Sequence, residues 1–210
     1  MKQVVTKELF AYWNVQRGRR AAPERLDIDP GVIRALLADT FILDHDPEAG
    51  FPFRIAGSRT SMLVDQELRL KSFLNLWQEK DHEEITRLLQ ATSDGPVPVL
   101  LGVSASLNGR SLDLEALLLP LRHHGRTHSR LMGAIVPLSA PDWLGLIPVG
   151  KFQLKSYRIM ESAAKLQEMS IAETNYRNSS HLYDRRTPLN TGHLFKNHPS
   201  PRLTVVEGGR

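Results

Sequence analysis

Residues 97–122, VPVLLGVSASLNGRSLDLEALLLPLR, decide the fold of this chain. Apolar residues dominate on both sides of Asn108-Gly109, and this dipeptide is the strongest short-range signal for a tight hairpin turn. The sequence therefore predicts a strand over Val97–Leu107, a turn at Asn108-Gly109, and a returning strand over Leu112–Arg122. Two long antiparallel strands would then form the centre of the structure.

The remaining predicted elements fall in blocks around this hairpin. In chain order they are a strand at Thr40–Asp44, a strand at Phe51–Ala56, short helices within Gly57–Leu76, a helix at His82–Thr92, the hairpin, a polar connection at His123–Arg130, and a strand at Leu131–Leu138. Because strands and helices are grouped and do not alternate, the predicted class is α+β. We expect a five-stranded antiparallel sheet with helices over one face.

Two helices are predicted before the first strand. The first begins at Thr6, whose hydroxyl can cap it, and ends at Gly18. The second begins at Asp29-Pro30, a capping residue followed by proline in the first turn. The predicted buried stripes are Leu9, Phe10 and Trp13 in the first helix and Ile33, Leu36 and Leu37 in the second.

Four regions are expected along the chain. They are an N-terminal helical cap (1–38), the core (39–140), an extension with one more strand at Lys151–Ile159 (141–160), and a basic, mostly disordered tail (161–210). Residues 1–150 hold 17 Lys and Arg against 18 Asp and Glu, whereas residues 151–210 hold 10 against 5. The basic end either stays solvated or contacts nucleic acid or an acidic partner.

Composition excludes several kinds of chemistry. The chain has no cysteine, so disulfides, cysteine zinc sites, a cysteine nucleophile and a cysteine–flavin adduct are ruled out. No sequence motif of a hydrolase, a nucleotide-binding loop, a zinc protease or a kinase occurs, and we expect no enzyme activity. No apolar run is long enough to cross a membrane and no secretory signal precedes the first helix, which predicts a cytoplasmic protein without membrane contact.

Three groups of residues resemble a known family. The first is Leu9–Trp13, Arg17-Gly18, Ala22–Arg25 and Asp27–Pro30; the second is Phe53–Arg59, Glu67-Leu68, Phe73-Leu74 and Leu76-Trp77; the third is Pro120-Leu121 and Gly133. Together they resemble a family of small PAS-domain proteins, found mainly in alphaproteobacteria and formerly a domain of unknown function. The sequence departs from that family at Asp65 and Gln66, where members commonly have glycine and arginine.

The resemblance implies a PAS fold and a role in signal transduction. Members are often a single PAS unit, and no common ligand is established for them. It also implies that the helical segment with Ser58, Ser61, Met62, Phe73 and Trp77 covers a ligand cavity, where Arg54 of the preceding strand could anchor a carboxylate or phosphate. The candidate ligand-binding residues are therefore Arg54, Ser58, Ser61, Phe73 and Trp77. The alternative is that these residues are ordinary core and that Arg54 forms an ion pair with Asp27, Asp29 or Asp44.

A second candidate site lies near the N-terminus. Trp13, Arg17, Arg25 and Asp29 could form a surface that recognises a partner. Alternatively, Trp13 packs the first helix on the sheet, while Arg25 and Asp29 hold the following segment through ion pairs and caps.

Histidines give little support for a cofactor. His123, His124 and His128 lie among arginines, which disfavour a metal cation, and no carboxylate accompanies them. His82 begins a predicted helix near the position of the haem ligand in haem-binding PAS proteins, but an exposed histidine is the expected case. We therefore predict no metal site, disfavour haem and flavin, and leave the cofactor unknown.

The function favoured by the sequence is a non-enzymatic PAS-type regulatory module that acts through protein–protein interaction, with a small ligand as an optional gate. The expected partners are signalling proteins and a second copy of the chain, which would form a homodimer through the first helix. Two alternatives stay open. One is a nucleic-acid-associated regulator that uses the basic tail, and the other is a small-molecule or cofactor sensor.

Overall fold

A computed structural model describes residues 1–123 and 126–160, without the side chains of residues 123–129. The helices and strands of these residues are α1 (Val4–Arg17), β1 (Thr40–Asp44), β2 (Phe53–Ala56), α2 (Ser58–Val64), α3 (His82–Asp94), β3 (Val99–Leu107), β4 (Arg110–His123), β5 (Arg126–Pro137) and β6 (Phe152–Ile159). Short 3₁₀ turns cover Arg25–Asp27, Leu37–Asp39, Phe73–Leu76 and Glu79–Asp81. The basic tail predicted over 161–210 lies outside the described residues.

The strands form one antiparallel sheet in the order β2-β1-β5-β4-β3-β6. This order confirms the α+β class and the predicted five-stranded antiparallel sheet. The strand expected in the extension is present as β6, which pairs with β3 and makes a sixth strand. The regional boundaries themselves stay a prediction.

Helices cover both faces of the sheet: the layer predicted over one face is present, and the N-terminal helix covers the other face. The inner face packs against α2, α3 and the 3₁₀ turn at Phe73–Leu76, and the outer face packs against α1 and the segment that follows it. This explains the unbroken apolar run of β4, because Leu118 faces the inner core while Leu117 and Leu119 face the outer one.

The N-terminal region differs from its prediction in two ways. Helix α1 begins at Val4, so Thr6 is a buried residue of its first turn and not its cap. No second α-helix follows Pro30; residues 30–36 form turns that lead into the 3₁₀ turn at Leu37–Asp39. Asp29 Oδ1 accepts a hydrogen bond from the amide of Gly31, as a helix cap does, but the backbone then forms three-residue turns, with the amides of Val32 and Leu36 donating to Asp29 and Ile33. A glycine early in a helix is unfavourable. Ile33 is buried as predicted, but Leu37 is 37% exposed.

Strands β2 and β5 also depart from the predicted pattern. β2 pairs with β1 through Ile42↔Ile55 and Leu43↔Phe53, a register shift that leaves Arg54 as an extra residue. Phe53 therefore faces the inner core, while Ile55 is 49% exposed. β5 begins at Arg126 and not at Leu131, because the backbone of this polar stretch continues the hydrogen-bonded ladder with β4.

The β3–β4 turn gives a direct test of the hairpin. Asn108 and Gly109 have φ angles of 51° and 76°, the left-handed conformation that such a turn requires. A side chain at Gly109 would meet no atom within 4 Å, so Gly109→Ala isolates the backbone cost. We expect this variant to lose about 1–2 kcal/mol of unfolding free energy in urea denaturation. An unchanged unfolding free energy would contradict the tight turn.

Candidate functional site: the docked N-terminal helix

Helix α1 lies on the outer face of the sheet and is anchored there by Trp13. The Trp13 side chain is fully buried, and its indole Nε1 donates a 2.8 Å hydrogen bond to the backbone oxygen of Pro120 in β4. Leu9, one turn earlier, is also fully buried in the same cluster. The anchor thus combines a large apolar surface with one satisfied polar group, as buried tryptophan requires.

Glu115 of β4 holds the start of the same helix. Its carboxylate accepts hydrogen bonds from the backbone amides of Lys2 (2.8 Å) and Gln3 (3.2 Å) and from the Thr6 hydroxyl (2.5 Å). Amides at a helix start have no partner within the helix, so a carboxylate from the sheet stabilises α1 as a cap does. Burial alone raises the pKa of Glu115, but these hydrogen bonds and the N-terminal ammonium at 4.0 Å lower it below its usual value.

The end of α1 is held by a buried arginine. The Arg17 guanidinium carbon lies 5.4 Å from the centre of the Trp13 ring, a cation–π arrangement. Arg17 Nε donates to Asn14 Oδ1 at 2.8 Å, and Nη1 donates to the backbone oxygen of Arg20 at 3.1 Å. Burial lowers the pKa of Arg17. Trp13 therefore binds α1 to the sheet, and Arg17 packs on its ring and on the end of the helix, so neither side chain is exposed.

The two other candidate interface residues lie in the segment after α1. Arg25 donates a long hydrogen bond (3.4 Å) to the backbone oxygen of Ile28, and Asp29 accepts from Gly31 within its own turn. The backbone amide of Asp29 donates to the hydroxyl of Tyr12 at 2.8 Å. The structure therefore separates the four predicted residues into a buried pair and two residues that shape the following segment.

The opposite side of α1 is exposed and partly apolar. Val4 and Val15 are 62% and 74% exposed, and Ala11 is exposed between them. With Glu8 these residues have spacings of 4, 3 and 4, so they form one stripe along the helix. We call Val4, Glu8, Ala11 and Val15 the outer stripe. It points away from Leu9 and Trp13, which face the sheet.

Of the predicted ligand-binding residues, only Phe73 and Trp77 lie together. Their rings are 5.9 Å apart in an aromatic cluster that fills the space between the sheet and α3, with Phe41, Phe53 and Phe152 as the other members. Within the described residues, Trp77 Nε1 is buried without a hydrogen-bond partner. Arg54 points away from this cluster; it is half exposed and pairs with Asp44 at 3.5 Å, one of the alternatives left open by the sequence.

The two predicted serines lie on α2. Ser58 is the first residue of this helix and is exposed, while Ser61 lines a shallow surface groove with Asp65 and Glu67. Neither serine reaches the aromatic cluster around Phe73 and Trp77. The structure thus does not bring the five candidates into one pocket.

The described residues offer no metal site. No group of three or more His, Asp or Glu residues among them is arranged to hold an ion, and the side chains of the histidine cluster at 123–128 lie outside the description. His82 Nε2 is 3.2 Å from the backbone oxygen of Trp77, a contact that fixes the start of α3. None of the helices in this part of the chain has the length and apolar character needed to span a bilayer.

A six-stranded antiparallel sheet with short helices over its inner face defines the chain as an α+β domain. The chain belongs to the PAS domain family, since the model of that family (PAS_5) matches residues 1–136. PAS domains are generally sensory, non-catalytic modules, which makes this chain a PAS-type signalling module.

The chain is similar to several solved structures at low sequence identity. An RNA-binding Light-Oxygen-Voltage receptor is 18% identical over 52% of this chain and 33% of its own length, with a TM-score of 0.41. The Aureochrome1 LOV blue-light photoreceptor in its light state is 14% identical over 55% of this chain and 91% of its own, with a TM-score of 0.40. A PAS domain from Colwellia psychrerythraea is 14% identical over 52% and 98%, with a TM-score of 0.40. The chain therefore spans about a third of the first receptor, and no curated protein matches the sequence.

Proposed function

We propose that this PAS module is a non-enzymatic regulator that acts by binding another protein through the outer stripe of α1. The observation that carries the proposal is the exposure of Val4 and Val15 on a helix whose other side is firmly docked. A rigidly held helix loses little conformational freedom when a partner binds, so less of the binding energy is spent on ordering it.

The spacing of the outer stripe favours a helix as the contacting element. Residues separated by 4, 3 and 4 positions line one side of a helix and pack well against a second helix. Lys7 and Glu8 are exposed beside the valines, so the stripe carries both charge signs. A second copy of α1 in the antiparallel direction could place each Lys7 near a Glu8 of the other copy, which supports a second copy of this chain as one partner. The other proposed partner is a helix of another signalling protein.

Val15→Asp is the variant that tests this surface. A charge at this exposed position leaves the buried anchors of α1 in place but would have to be desolvated in a helix–helix contact, so we expect association to weaken at least about tenfold. Val32→Asp is the matched control, because Val32 is 67% exposed and lies outside α1. Light scattering during size-exclusion chromatography measures the homodimer, and affinity capture followed by mass spectrometry measures other partners.

The outcomes separate the proposed partners. Loss of the dimer or of a captured signalling protein in Val15→Asp, but not in Val32→Asp, would support the proposal. Equal association of wild type and both variants would contradict it. Capture that disappears after nuclease treatment would instead favour the nucleic-acid alternative, in which the charge of residues 151–210 makes the contact. A small ligand that gates the contact would change the dimer content when it is added.

A further inference from the structure

A cavity of about 560 Å³ is lined by neither the rings of the aromatic cluster nor the residues of the outer stripe. Its walls come from the start of α1, from α2, from the end of β5 and from the loop that follows β5. The side chains used below are Val5, Asp39, Arg59, Met62, Leu138 and Leu144. This volume lies within the range of about 300–1,000 Å³ that is typical of small-molecule sites.

The walls are mainly apolar, and part of this surface is open to solvent. Met62 is 55% exposed although it lies on a helix whose neighbours Leu63 and Val64 are buried. Partly buried Leu144, from the loop after β5, also lines the cavity. The exposed methionine and this leucine form an apolar surface that the apolar body of a ligand could cover.

One charged group is accessible in the cavity, and it is a cation. Asp39 is almost fully buried and accepts hydrogen bonds from Nε (2.8 Å) and Nη2 of Arg59. Both carboxylate oxygens of Asp39 are therefore engaged. Arg59 itself is 56% exposed in this pair.

The pairing leaves donors of Arg59 available. A guanidinium has five N–H groups, and the contact with Asp39 uses the Nε edge. Within the described residues, Arg59 Nη1 donates to no protein acceptor. Because Asp39 fixes the plane of the guanidinium, the remaining edge is held in position for an anion and loses little entropy on binding one.

From this arrangement we propose that the cavity binds a small organic carboxylate, with the carboxylate on the free edge of Arg59 and the apolar body between Met62 and Leu144. Arg54, Ser58, Ser61, Phe73 and Trp77 do not line this cavity, and Met62 is the one residue it shares with the segment that the sequence placed over a ligand cavity. The proposal does not rest on partner binding by α1, although Val5 of α1 contributes to the wall.

The test uses two pairs of probes that differ only in charge. Octanoate and 1-naphthaleneacetate are the carboxylates, and octanamide and 1-naphthaleneacetamide are their neutral counterparts. Full-length protein is labelled at the methionine methyl groups, and each probe is titrated by NMR. We expect the Met62 resonance to shift on addition of at least one acid, while the resonance of buried Met132, which does not line the cavity, stays in place. The acid should bind at least about tenfold more tightly than its amide, since a charge-assisted pair is lost in the amide.

Two variants assign the binding to this site. Ala140→Phe fills the cavity from an exposed position and leaves the pair of Arg59 and Asp39 intact, so it should abolish the Met62 shift; Ala49→Phe is its matched control at an exposed alanine away from the cavity. Arg59→Lys keeps a positive charge near Asp39 but lacks the planar guanidinium that can bind two carboxylates at once. The variant should therefore lose most of the preference for acid over amide. Arg158→Gln on β6 removes one exposed arginine elsewhere and should bind as wild type does.

The proposal is overturned if neither acid shifts Met62, if acid and amide bind equally in wild type, or if Ala140→Phe binds as Ala49→Phe does. Thermal unfolding of each variant is measured first, so that a loss of binding is compared only among folded proteins. If Arg59→Lys does not fold, Ala140→Phe alone decides the outcome.

Discussion

Trp13→Ala is expected to lower the free energy of unfolding by about 3–5 kcal/mol, the range typical of a buried tryptophan replaced by alanine. The substitution removes the largest side chain of the outer cluster and leaves the backbone oxygen of Pro120 without its donor. It also removes the ring on which the buried Arg17 guanidinium packs. All three losses act on the contact between α1 and the sheet.

Trp13 does not pack in the inner core, so we expect the loss of stability to differ between the two faces of the sheet. Phe73, Trp77 and the residues around them form a separate cluster on the other face of β4. We expect amide hydrogen exchange in α1 to become much faster, while amides of α3 keep more of their protection. Urea denaturation followed by circular dichroism gives the global stability, and exchange followed by mass spectrometry gives the regional one.

Trp13→Phe is the companion variant. It keeps an aromatic side chain but cannot donate to Pro120, so it should cost less, about 1–3 kcal/mol for a buried acceptor that loses its partner. If Trp13→Ala costs under about 1 kcal/mol, or if α1 and α3 lose protection equally, the separate docking of α1 on the outer face is wrong.

The central hairpin could be predicted because its signals are local. The turn at Asn108-Gly109 depends on two residues, and both strands alternate or run apolar around it. The apolar run of β4 also indicates burial on both faces, which the sequence prediction did not use. Strands that are buried on both faces lack alternation, and Leu117, Leu118 and Leu119 are all fully buried. A second layer over the outer face could have been expected from that run.

The errors came from local competition that periodicity does not show. The pattern after Pro30 fits a helix, but the amides of Val32 and Leu36 donate to backbone oxygens three residues earlier and make turns. The alternation of Phe53 and Ile55 fits a flat strand, but the extra residue Arg54 moves Ile55 to the other face. Bulges and side-chain turns depend on a few hydrogen bonds, so they leave hardly any trace in the hydrophobic pattern.

The family resemblance identified important positions without giving their reasons. Gly133 was one of them, and the structure supplies a steric explanation. A Cβ atom at this position would lie 2.3 Å from the backbone oxygen of Leu117 and equally close to the ring of Phe41. Trp13 was another, and its role is that of an anchor. The resemblance could not separate a residue kept for packing from one kept for recognition.

Glu115 was missed altogether, although the sequence contains a signal for it. It is a carboxylate within the apolar stretch of β4, and a buried carboxylate needs hydrogen-bond partners from somewhere in the fold. Its partners are more than 100 positions away, in the first six residues. Such a contact cannot be derived until the helix is placed on the sheet.

Glu115→Gln is expected to cost about 2–3 kcal/mol at pH 7, the range for hydrogen bonds to a charged group. The amide keeps one acceptor oxygen, but its NH₂ group would face N–H donors of the helix start. The substitution also removes the negative charge that stabilises the first turn of α1. Glu8→Gln is the matched control, because Glu8 is an exposed residue of the same helix.

The pH dependence distinguishes this mechanism from a simple packing defect. The pKa of Glu115 is lowered in the folded protein, so its contribution is fully present above the pKa of the unfolded chain, about 4.3 for a free glutamate. The contribution is lost as the pH falls through the folded-state pKa, which lies below that value. Unfolding free energies of wild type and Glu115→Gln, measured from pH 7 to pH 3, should therefore converge at the acidic end. Other carboxylates titrate in both proteins and cancel in the difference. A difference that stays constant over this range would show that the charge of Glu115 does not hold α1 on the sheet.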